Sequence, residues 1–262
     1  MSCLDAFTPE EFRTAEDEFF TDLLRSRRVS PHENPQAYLL GGQSGAGKTT
    51  LHQILRERFN GDVIVINGDE YRSRHPHYRA LDAEYGPDAV THTAAWAGAM
   101  TEALIDSFSS LRYNLIIEGT LRTSAVPLKT ATALKERGYL VNLALMAVKP
   151  EISLISCQIR YEQMRIAGTI PHATDPAHHR LIVDAIADNL ATLEASGQFE
   201  HIELYTRARK MIHPQQGSET GSETCAADVL KETLFGAWTP EETEHYRMLQ
   251  SLYQNLKAQD EV

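Results

Sequence analysis

The sequence predicts an α/β fold in which a parallel β-sheet is flanked by helices. Short apolar runs of the kind found in buried strands alternate with longer segments that have helical periodicity. A glycine-rich turn follows the first of these runs and precedes a helical segment, as at the carboxyl edge of such sheets. Since strands that alternate with helices pair in parallel through right-handed crossovers, we expect a single sheet of this type.

The amino-terminal half of the chain contains clear start and stop signals. Thr8 is followed by a proline and two glutamates, a capping box that predicts a helix over about 8–28. The apolar run 37–40 and the β-branched run 62–66 are continuous, as in strands that are buried on both faces. The helices predicted after these two strands are 48–58 and 88–111.

In the carboxyl-terminal half, apolar runs and helical segments continue to alternate. Three further strands are predicted at 114–117, 141–148 and 201–205. Helices are predicted at 126–137, 150–165, 175–195, 226–234 and 241–256. The tandem repeat GSETGSET at 217–224 predicts a mobile surface loop. We therefore expect a helical extension over about 206–262, whose last two helices pack on the rest of the fold.

The length of 262 residues and the formal net charge of −11 limit the classes of function. The length suits a single α/β domain over 1–262 with additional helices. Because nucleic-acid binding requires a basic patch, the acidic balance predicts no nucleic-acid partner. No stretch approaches the ~18 apolar residues of a membrane helix, and the amino terminus lacks a signal-peptide pattern. These features, with three cysteines that have no CxxC spacing, predict a cytoplasmic protein without a membrane partner.

The strongest functional motif is GQSGAGKT at 42–49, which fits GxxxxGK[ST] between a predicted strand and a predicted helix. Glycines let successive backbone N–H groups point at phosphate oxygens, and the helix N-terminus adds partial positive charge. Lys48 is expected to reach the β- and γ-phosphates and the Thr49 hydroxyl to bind magnesium, so the predicted cofactors are ATP or GTP with Mg²⁺. The predicted cofactor-binding residues are Gly42, Gln43, Ser44, Gly45, Ala46, Gly47, Lys48, Thr49 and Thr50.

Polar residues follow the second and third predicted strands, at the edge that faces ligands in open α/β sheets. Asp69 is well placed to take a proton from a substrate hydroxyl or to hold magnesium, and a turn-capping aspartate is the alternative. Glu118 ends the third strand at an abrupt change of polarity, which indicates a ligand or magnesium contact. Arg122 follows closely and is suited to hold an anionic substrate.

The segment 160–180 is rich in arginine and histidine, and phosphoryl-transfer enzymes need cations over the transferring group. Arg160 lies on a predicted helix, where a solvated arginine paired with Glu162 or Glu151 is an equally good interpretation. His178 and His179 have no partner at metal-ligand spacing, so we interpret them as histidines on a helix surface.

Four blocks of this sequence, within about 37–205, resemble the zeta toxin family of bacterial toxin–antitoxin systems, and in particular its PezT type. The blocks are YLLGGQSGAGKTTLH, INGDEYRSRHPHY, MTEALIDSFSSLRYNLIIEGTLRTSAVP and IRYEQMRIAGTIPHATDPAHH. The resemblance implies a P-loop kinase fold with a helical lid and C-terminal helices. It implies a toxin that uses ATP to phosphorylate the 3′-hydroxyl of the sugar of UDP-N-acetylglucosamine, which blocks cell-wall synthesis. It also implies a cognate antitoxin protein that blocks the nucleotide site.

The resemblance further implies roles for individual residues. Lys48 and Thr49 match the family's phosphate and magnesium contacts, and Asp69 matches its general base, which also contacts the substrate. Arg160 matches one of two arginines that cover the γ-phosphate. The residues that match the sugar-nucleotide pocket are Glu102, Glu118, Thr120 and Arg122.

The second of those arginines is replaced here, because His172 stands where the family pattern has Arg. A histidine near pH 7 is mostly neutral and makes at most one such contact, whereas arginine is permanently charged and can bind bidentately. Three interpretations stay open: an attenuated kinase, substitution by Arg165 or Arg180, or a nucleotide-binding module that acts through its partner. A kinase with another small-molecule acceptor is a further alternative. Asn67, where family members often carry Asp, is a smaller departure.

Overall fold

The computed structural model describes residues 3–25, 28–169, 174–214 and 224–259. One sheet is formed by six strands: β1 (Gln36–Gly41), β2 (Ile64–Ile66), β3 (Leu115–Ile117), β4 (Leu140–Met146), β5 (Ile202–Tyr205) and β6 (Met211–His213). The strand order is β2-β3-β1-β4-β5-β6. β2 pairs with β3 in parallel, as does β4 with β5, whereas β5 and β6 are antiparallel. The predicted α/β fold with a mostly parallel sheet is confirmed.

Helices connect and follow these strands. The α-helices among the described residues are α1 (Pro9–Arg25), α2 (Lys48–Arg58), α3 (Gly68–Tyr71), α4 (Tyr78–Tyr85), α5 (Ala89–His92), α6 (Ala94–Ser110), α7 (Ala125–Glu136), α8 (Pro150–Ile166), α9 (Pro176–Ala195), α10 (Ala226–Phe235) and α11 (Pro240–Ala258). No helix in the described ranges is both long and apolar enough to cross a membrane. All five predicted strands and most predicted helices are found with bounds that differ by at most two residues.

The capping box predicted at Thr8 is confirmed. The backbone N–H of Glu11 donates to Thr8 Oγ1 at 3.2 Å, and the backbone N–H of Thr8 donates to Glu11 Oε2 at 2.8 Å. The described helix ends at Arg25, and residues 26 and 27 of the predicted helix lie outside the described part of the chain.

The helix predicted over 88–111 is not continuous, which corrects that prediction. The chain forms α5 and α6 with an interruption at Thr93, whose φ and ψ are −91° and 2°. Thr93 Oγ1 donates to the main-chain oxygen of Ala89 at 2.9 Å. Side chains of threonine compete with the helical backbone for hydrogen bonds in this way, and periodicity alone does not reveal where they succeed.

Two further features were not predicted from the sequence. The segment between β2 and α5 contains α3 and α4, and β6 lies inside the stretch that was predicted as a helical extension. The two apolar residues of β6, Met211 and Ile212, lie between Lys210 and His213, so no apolar run of strand length marks it. Of the predicted mobile loop at 217–224, residues 217–223 lie outside the described residues.

By internal contacts the chain divides into two compact units. The first unit comprises Met1–Tyr38, Leu55–Glu118 and Leu134–Leu140, and the second comprises Leu39–Ile54, Gly119–Ala133 and Val141–Val262. In the first unit α1 and α3 pack on α6, with Trp96 fully buried. In the second unit α11 packs on α8, and α10 packs on α9. The single domain predicted over 1–262 stays a prediction.

Candidate functional site

The glycine-rich loop of the second unit has the conformation that its sequence predicts. Gly42, Gly45 and Gly47 have φ values of 137°, 74° and 96°, which residues with a side chain rarely adopt. The backbone N–H of Ala46 donates to the oxygen of Gln43 at 3.1 Å and closes the turn. α2 begins directly after the loop, at Lys48. The loop therefore presents its backbone at a helix N-terminus, the arrangement that binds phosphate.

A buried polar chain supports this loop from within the second unit. The side chain of Gln43 is fully buried and donates to the oxygen of Val148 at 2.8 Å and to Ser153 Oγ at 3.2 Å. Ser153 Oγ lies in turn 2.8 Å from His179 Nε2. Because the Gln43 side chain is committed to these partners, its predicted cofactor contact falls to its main chain.

His179 corrects an interpretation of the sequence, because it is buried and does not lie on a helix surface. Its side chain is 3% exposed, whereas His178 beside it is exposed. Burial lowers the pKa of His179, since desolvation disfavours the charged imidazolium. His179 is therefore neutral, and it ends the buried chain of hydrogen bonds that starts at Gln43.

Arg207 is a component of the loop's surroundings that sequence reasoning missed. Its guanidinium donates from Nε to the oxygen of Ala46 at 3.2 Å and from Nη2 to Ser156 Oγ at 2.9 Å. Nη2 also donates to the oxygen of Gly45. Burial lowers the pKa of Arg207. Its position just after β5 could have indicated it, because the same criterion, a polar residue just after a strand, selected Asp69 and Glu118.

The predicted phosphate and magnesium residues lie at the start of α2. Lys48 Nζ donates to the oxygen of Gly42 at 3.1 Å, so this side chain folds along the loop. Thr49 is exposed in the first turn of α2, and Ser44 and Thr50 are half-buried. Lys48 and Thr49 are thus placed beside the loop's backbone, as their predicted roles require.

Thr120 and Arg122 belong to the second unit, next to the end of β1. A Cβ built on Gly119 would lie 3.1 Å from the oxygen of Leu40, so the chain passes close to that strand. Leu121 has a φ of 56°, and its oxygen accepts from Asn189 Nδ2 at 2.9 Å. Arg122 follows as an exposed side chain and Thr120 is half-buried.

Arg160 is exposed on α8, four residues after Ser156. Residues at that spacing share a helix face, so Arg160 projects from the face that holds Arg207. The alternative, a solvated arginine paired with Glu162 or Glu151, stays open, although Glu162 already pairs with Arg165 at 2.9 Å. The same ion pair engages Arg165, one of the two substitutes considered for the missing arginine. The other, Arg180, is exposed on α9, and His172 lies outside the described residues.

Asp69 lies in the first unit, in α3. The cap of this helix is Asn67, whose Oδ1 accepts from the backbone N–H of Asp69 at 3.2 Å. The alternative that Asp69 itself caps the turn is therefore wrong. The Asp69 side chain is 77% exposed, and its Oδ1 accepts from Arg72 Nε at 2.9 Å.

Glu102 and Glu118 complete the acidic residues that were predicted in this unit. Ile66 and Ile117 are in register, and the backbone N–H of Glu118 donates to the oxygen of Ile66 at 2.9 Å. A Cβ on Gly68 would lie 2.8 Å from Thr101 Oγ1, so α6 approaches α3 one residue before Glu102. The first unit thus brings Asp69 and Glu118 to the carboxyl edge of β2 and β3, and Glu102 follows the residue of α6 that approaches α3.

The donor set of the loop fits a nucleotide with magnesium. A Cβ on Gly45 would lie 2.0 Å from the oxygen of Ser153, so only a glycine permits this cradle. Mg²⁺ takes oxygen ligands and is usually held by one or two side chains plus substrate phosphates. Thr49 supplies such a hydroxyl, and the described residues contain no cluster of three or more metal-ligating side chains. Glu118 stays a predicted magnesium contact.

Comparison with known proteins places this chain among characterised sequences. A family profile described as Zeta toxin matches residues 21–218. The chain is 47% identical over 239 residues to toxin PezT of Streptococcus pneumoniae serotype 4, which covers 91% of this chain and 92% of that protein. It is 38% identical over 202 residues to toxin zeta of Streptococcus pyogenes, covering 77% of this chain and 70% of that protein.

Two solved structures superpose on nearly the whole length of this chain. The structure of the PezAT chromosomal toxin–antitoxin system of Streptococcus pneumoniae superposes with a TM-score of 0.86 at 43% identity, over 97% of this chain and 99% of that chain. The complex of AvrRxo1-ORF1 and AvrRxo1-ORF2 solved with ATP gives a TM-score of 0.53 at 15% identity, over 97% of this chain and 92% of that chain. The second likeness shows a shared fold alone.

Proposed function

This chain belongs to the zeta toxin family, and on that premise we propose that it is the toxin of a toxin–antitoxin pair and a kinase. The proposed reaction transfers the γ-phosphoryl group of ATP to the 3′-hydroxyl of the sugar of UDP-N-acetylglucosamine and thereby blocks cell-wall synthesis. The observation that carries the proposal is the loop of Gly42, Gly45 and Gly47 at the N-terminus of α2, within a chain of this family.

The loop and its neighbours bind the phosphates in this proposal. Backbone N–H groups of 42–50 hold the phosphate oxygens, and Lys48 offsets the charge on the β- and γ-phosphates. Arg160 adds a permanent charge over the transferring group. Magnesium, when bound through Thr49 and with Glu118 as a further contact, neutralises charge on the phosphate oxygens.

Asp69 acts as general base. The O–H bond of the 3′-hydroxyl breaks as its proton moves to the Asp69 carboxylate, and the sugar oxygen forms a bond to the γ-phosphorus. The bond between that phosphorus and the β,γ-bridging oxygen breaks, and ADP leaves. Glu102, Glu118, Thr120 and Arg122 orient the sugar nucleotide. The exposed carboxylate of Asp69 is compatible with this role because a base must reach its substrate.

The proposed partner is a cognate antitoxin protein that blocks the nucleotide site. Support comes from the similarity to PezT, a toxin whose solved structure belongs to a toxin–antitoxin system. The proposal predicts that this partner and ATP compete for the chain.

Mass spectrometry of the purified protein with ATP, magnesium and UDP-N-acetylglucosamine tests the activity. We expect a sugar nucleotide that is heavier by one phosphoryl group, and its loss in Lys48→Ala and Asp69→Asn. Glu70→Gln is the matched control for Asp69, because Glu70 is an exposed carboxylate on the same helix. His172→Arg, assayed beside the wild type, measures the effect of the replaced arginine.

The possible outcomes separate the alternatives. ATP consumption without that product indicates a kinase of another small molecule. ATP binding without turnover, in the wild type and in His172→Arg alike, favours the nucleotide-binding module. Near-normal transfer by either Lys48→Ala or Asp69→Asn would contradict the assigned roles.

A further inference from the structure

The side chain of Arg72 holds the Asp69 carboxylate. Its Nε donates to Asp69 Oδ1 at 2.9 Å, and the side chain of Arg72 is 23% exposed against 77% for Asp69. A half-buried guanidinium thus anchors an exposed carboxylate. Arginine suits this task because its planar fork directs several N–H groups along fixed lines.

The opposite end of the same guanidinium is held by the interruption between α5 and α6. Arg72 Nη1 donates to the oxygen of Val90 at 2.7 Å and to Thr93 Oγ1 at 3.2 Å. In an unbroken helix the oxygen of Val90 would accept from the backbone N–H of residue 94. At the interruption this oxygen accepts instead from Arg72 and, at 3.4 Å, from Thr93 Oγ1.

The backbone that carries both residues is also fixed. Asn67 caps α3 at the amino-terminal side of Asp69. The indole Nε1 of Trp96, at the start of α6, donates to the oxygen of Tyr71 at 2.9 Å. The backbone is therefore held on each side of Asp69, at Asn67 and at Tyr71, and the guanidinium determines where the carboxylate lies.

We propose that Arg72 is a positioning residue for the general base, and that the hydrogen-bond acceptors at the helix interruption at Thr93 orient its guanidinium. This inference rests on the proposed kinase function of Asp69. Arg72 acts through Asp69 and does not bind substrate itself, so its loss misplaces the base without weakening the binding of either substrate.

Arg74 provides a matched control on the same short segment. It donates to Glu18 Oε2 at 3.0 Å and to Asp22 Oδ2 at 2.6 Å, both on α1. Arg74→Gln therefore removes one positive charge and two ion pairs two residues from Arg72, and leaves the Asp69–Arg72 pair in place.

The test compares steady-state kinetics of Arg72→Gln, Arg72→Lys and Arg74→Gln with the wild type. Since misplacement of a reacting group by about 1 Å can cost on the order of 10²-fold in rate, we expect Arg72→Gln to lower kcat by roughly 10- to 100-fold. Both KM values should stay within about twofold, since ground-state binding is unchanged. Arg72→Lys should recover part of kcat, and Arg74→Gln should match the wild type.

A double-mutant cycle shows whether Arg72 acts through Asp69. In the Asp69→Asn background, Arg72→Gln should cause no further loss of the residual rate. Equal losses in Arg72→Gln and Arg74→Gln, additive losses with Asp69→Asn, or a loss confined to KM would each overturn the proposal. Thr93→Val gives a second route if Arg72→Gln does not fold, because it removes the hydroxyl that accepts from Arg72 Nη1 and should also lower kcat.

A spectroscopic readout keeps this inference separate from the identity of the acceptor. In protein labelled with carboxyl-¹³C aspartate, Arg72→Gln should shift the Asp69 signal, identified by its absence in Asp69→Asn, whereas Arg74→Gln should not. If the wild type yields no phosphorylated UDP-N-acetylglucosamine, the proposed acceptor is wrong and this signal alone decides the role of Arg72. An unchanged signal in Arg72→Gln would refute it.

Discussion

Arg207 Nε donates to the main-chain oxygen of Ala46 over 3.2 Å, and this contact joins the turn after β5 to the phosphate-binding loop. The same guanidinium also bonds to Ser156 on α8. A single side chain thus links the loop, the end of a strand and the helix that carries Arg160. The loop's conformation is therefore stabilised from outside its own sequence motif.

Replacement of Arg207 should weaken ATP binding. A hydrogen bond from a charged donor contributes about 1.5–3 kcal/mol, so we expect Arg207→Gln to raise the Kd for ATP by roughly 10- to 100-fold. Isothermal titration with ATP and magnesium measures this change. Lys210→Gln, which removes an exposed positive charge from the same turn, should leave the Kd within about twofold. Equal effects of the two substitutions on the Kd would show that Arg207 contributes only through its positive charge.

Gly45 tolerates no side chain. It has a φ of 74°, and its Cβ would lie 2.0 Å from the oxygen of Ser153 and 2.7 Å from Cys157 Sγ. We expect Gly45→Ala to abolish detectable ATP binding and to lower the free energy of unfolding by about 1–3 kcal/mol. Gly98→Ala is the control, because Gly98 lies within α6 with open space around it and should gain about 0.5–1 kcal/mol. Normal ATP binding by Gly45→Ala would contradict the described loop.

Stability should fall in mild acid, in part through His179. Burial lowers its pKa, so the unfolded chain binds a proton more readily than the folded protein does. The contribution of His179 to the free energy of unfolding is therefore complete above about pH 6.5 and is lost as the pH falls through the folded-state pKa. His75 and His245 are shifted in the same direction, also by burial, and add to the effect.

Urea unfolding between about pH 7 and about pH 5 measures this dependence. In His179→Gln the free energy of unfolding should decline less steeply than in the wild type, with a difference of at most about 1.4 kcal/mol per pH unit. His178→Gln, which removes the exposed neighbouring histidine, is the comparison variant. An identical slope in wild type and His179→Gln would show that His179 does not titrate in this range.

The capping box of α1 should contribute measurably to stability. Loss of a threonine cap costs about 1 kcal/mol, so Thr8→Ala should lower the free energy of unfolding by that amount in urea titrations. Thr14→Ala on the same helix is the comparison, because the Thr14 hydroxyl bonds only back to the oxygen of Glu10 and caps nothing. A cost for Thr14→Ala as large as that for Thr8→Ala would argue against the cap.

The sheet and its helices were predictable because their signals are local. A continuous β-branched run such as 62–66, or a glycine motif before Lys48, needs no knowledge of distant residues. The interruption at Thr93 was not predictable from periodicity, since it involves hydrogen bonds of the Thr93 hydroxyl and of a guanidinium 21 residues earlier in the chain. β6 was not predicted because its two apolar residues, Met211 and Ile212, do not form a continuous apolar run.

The residues of the candidate site also divide into those with a local sequence signal and those that depend on distant residues. Lys48 and Asp69 could be proposed as site residues because each follows a recognisable motif or strand. The surroundings of His179 and Arg207 were not found, because their partners Ser153 and Ala46 come from distant parts of the chain. Sequence patterns therefore indicate candidate chemical groups more readily than the buried groups that surround them.

The two ends of the strand order, β2 and β6, are each three residues long. An exposed strand edge is a template on which a second polypeptide can extend a sheet, and typical strands of about 5–6 residues offer more of it. Such short edges disfavour strand addition, both as a route to aggregation at high concentration and as a way for another protein to dock. A partner of this chain is therefore expected to recognise side chains and loops, and not to lengthen the sheet.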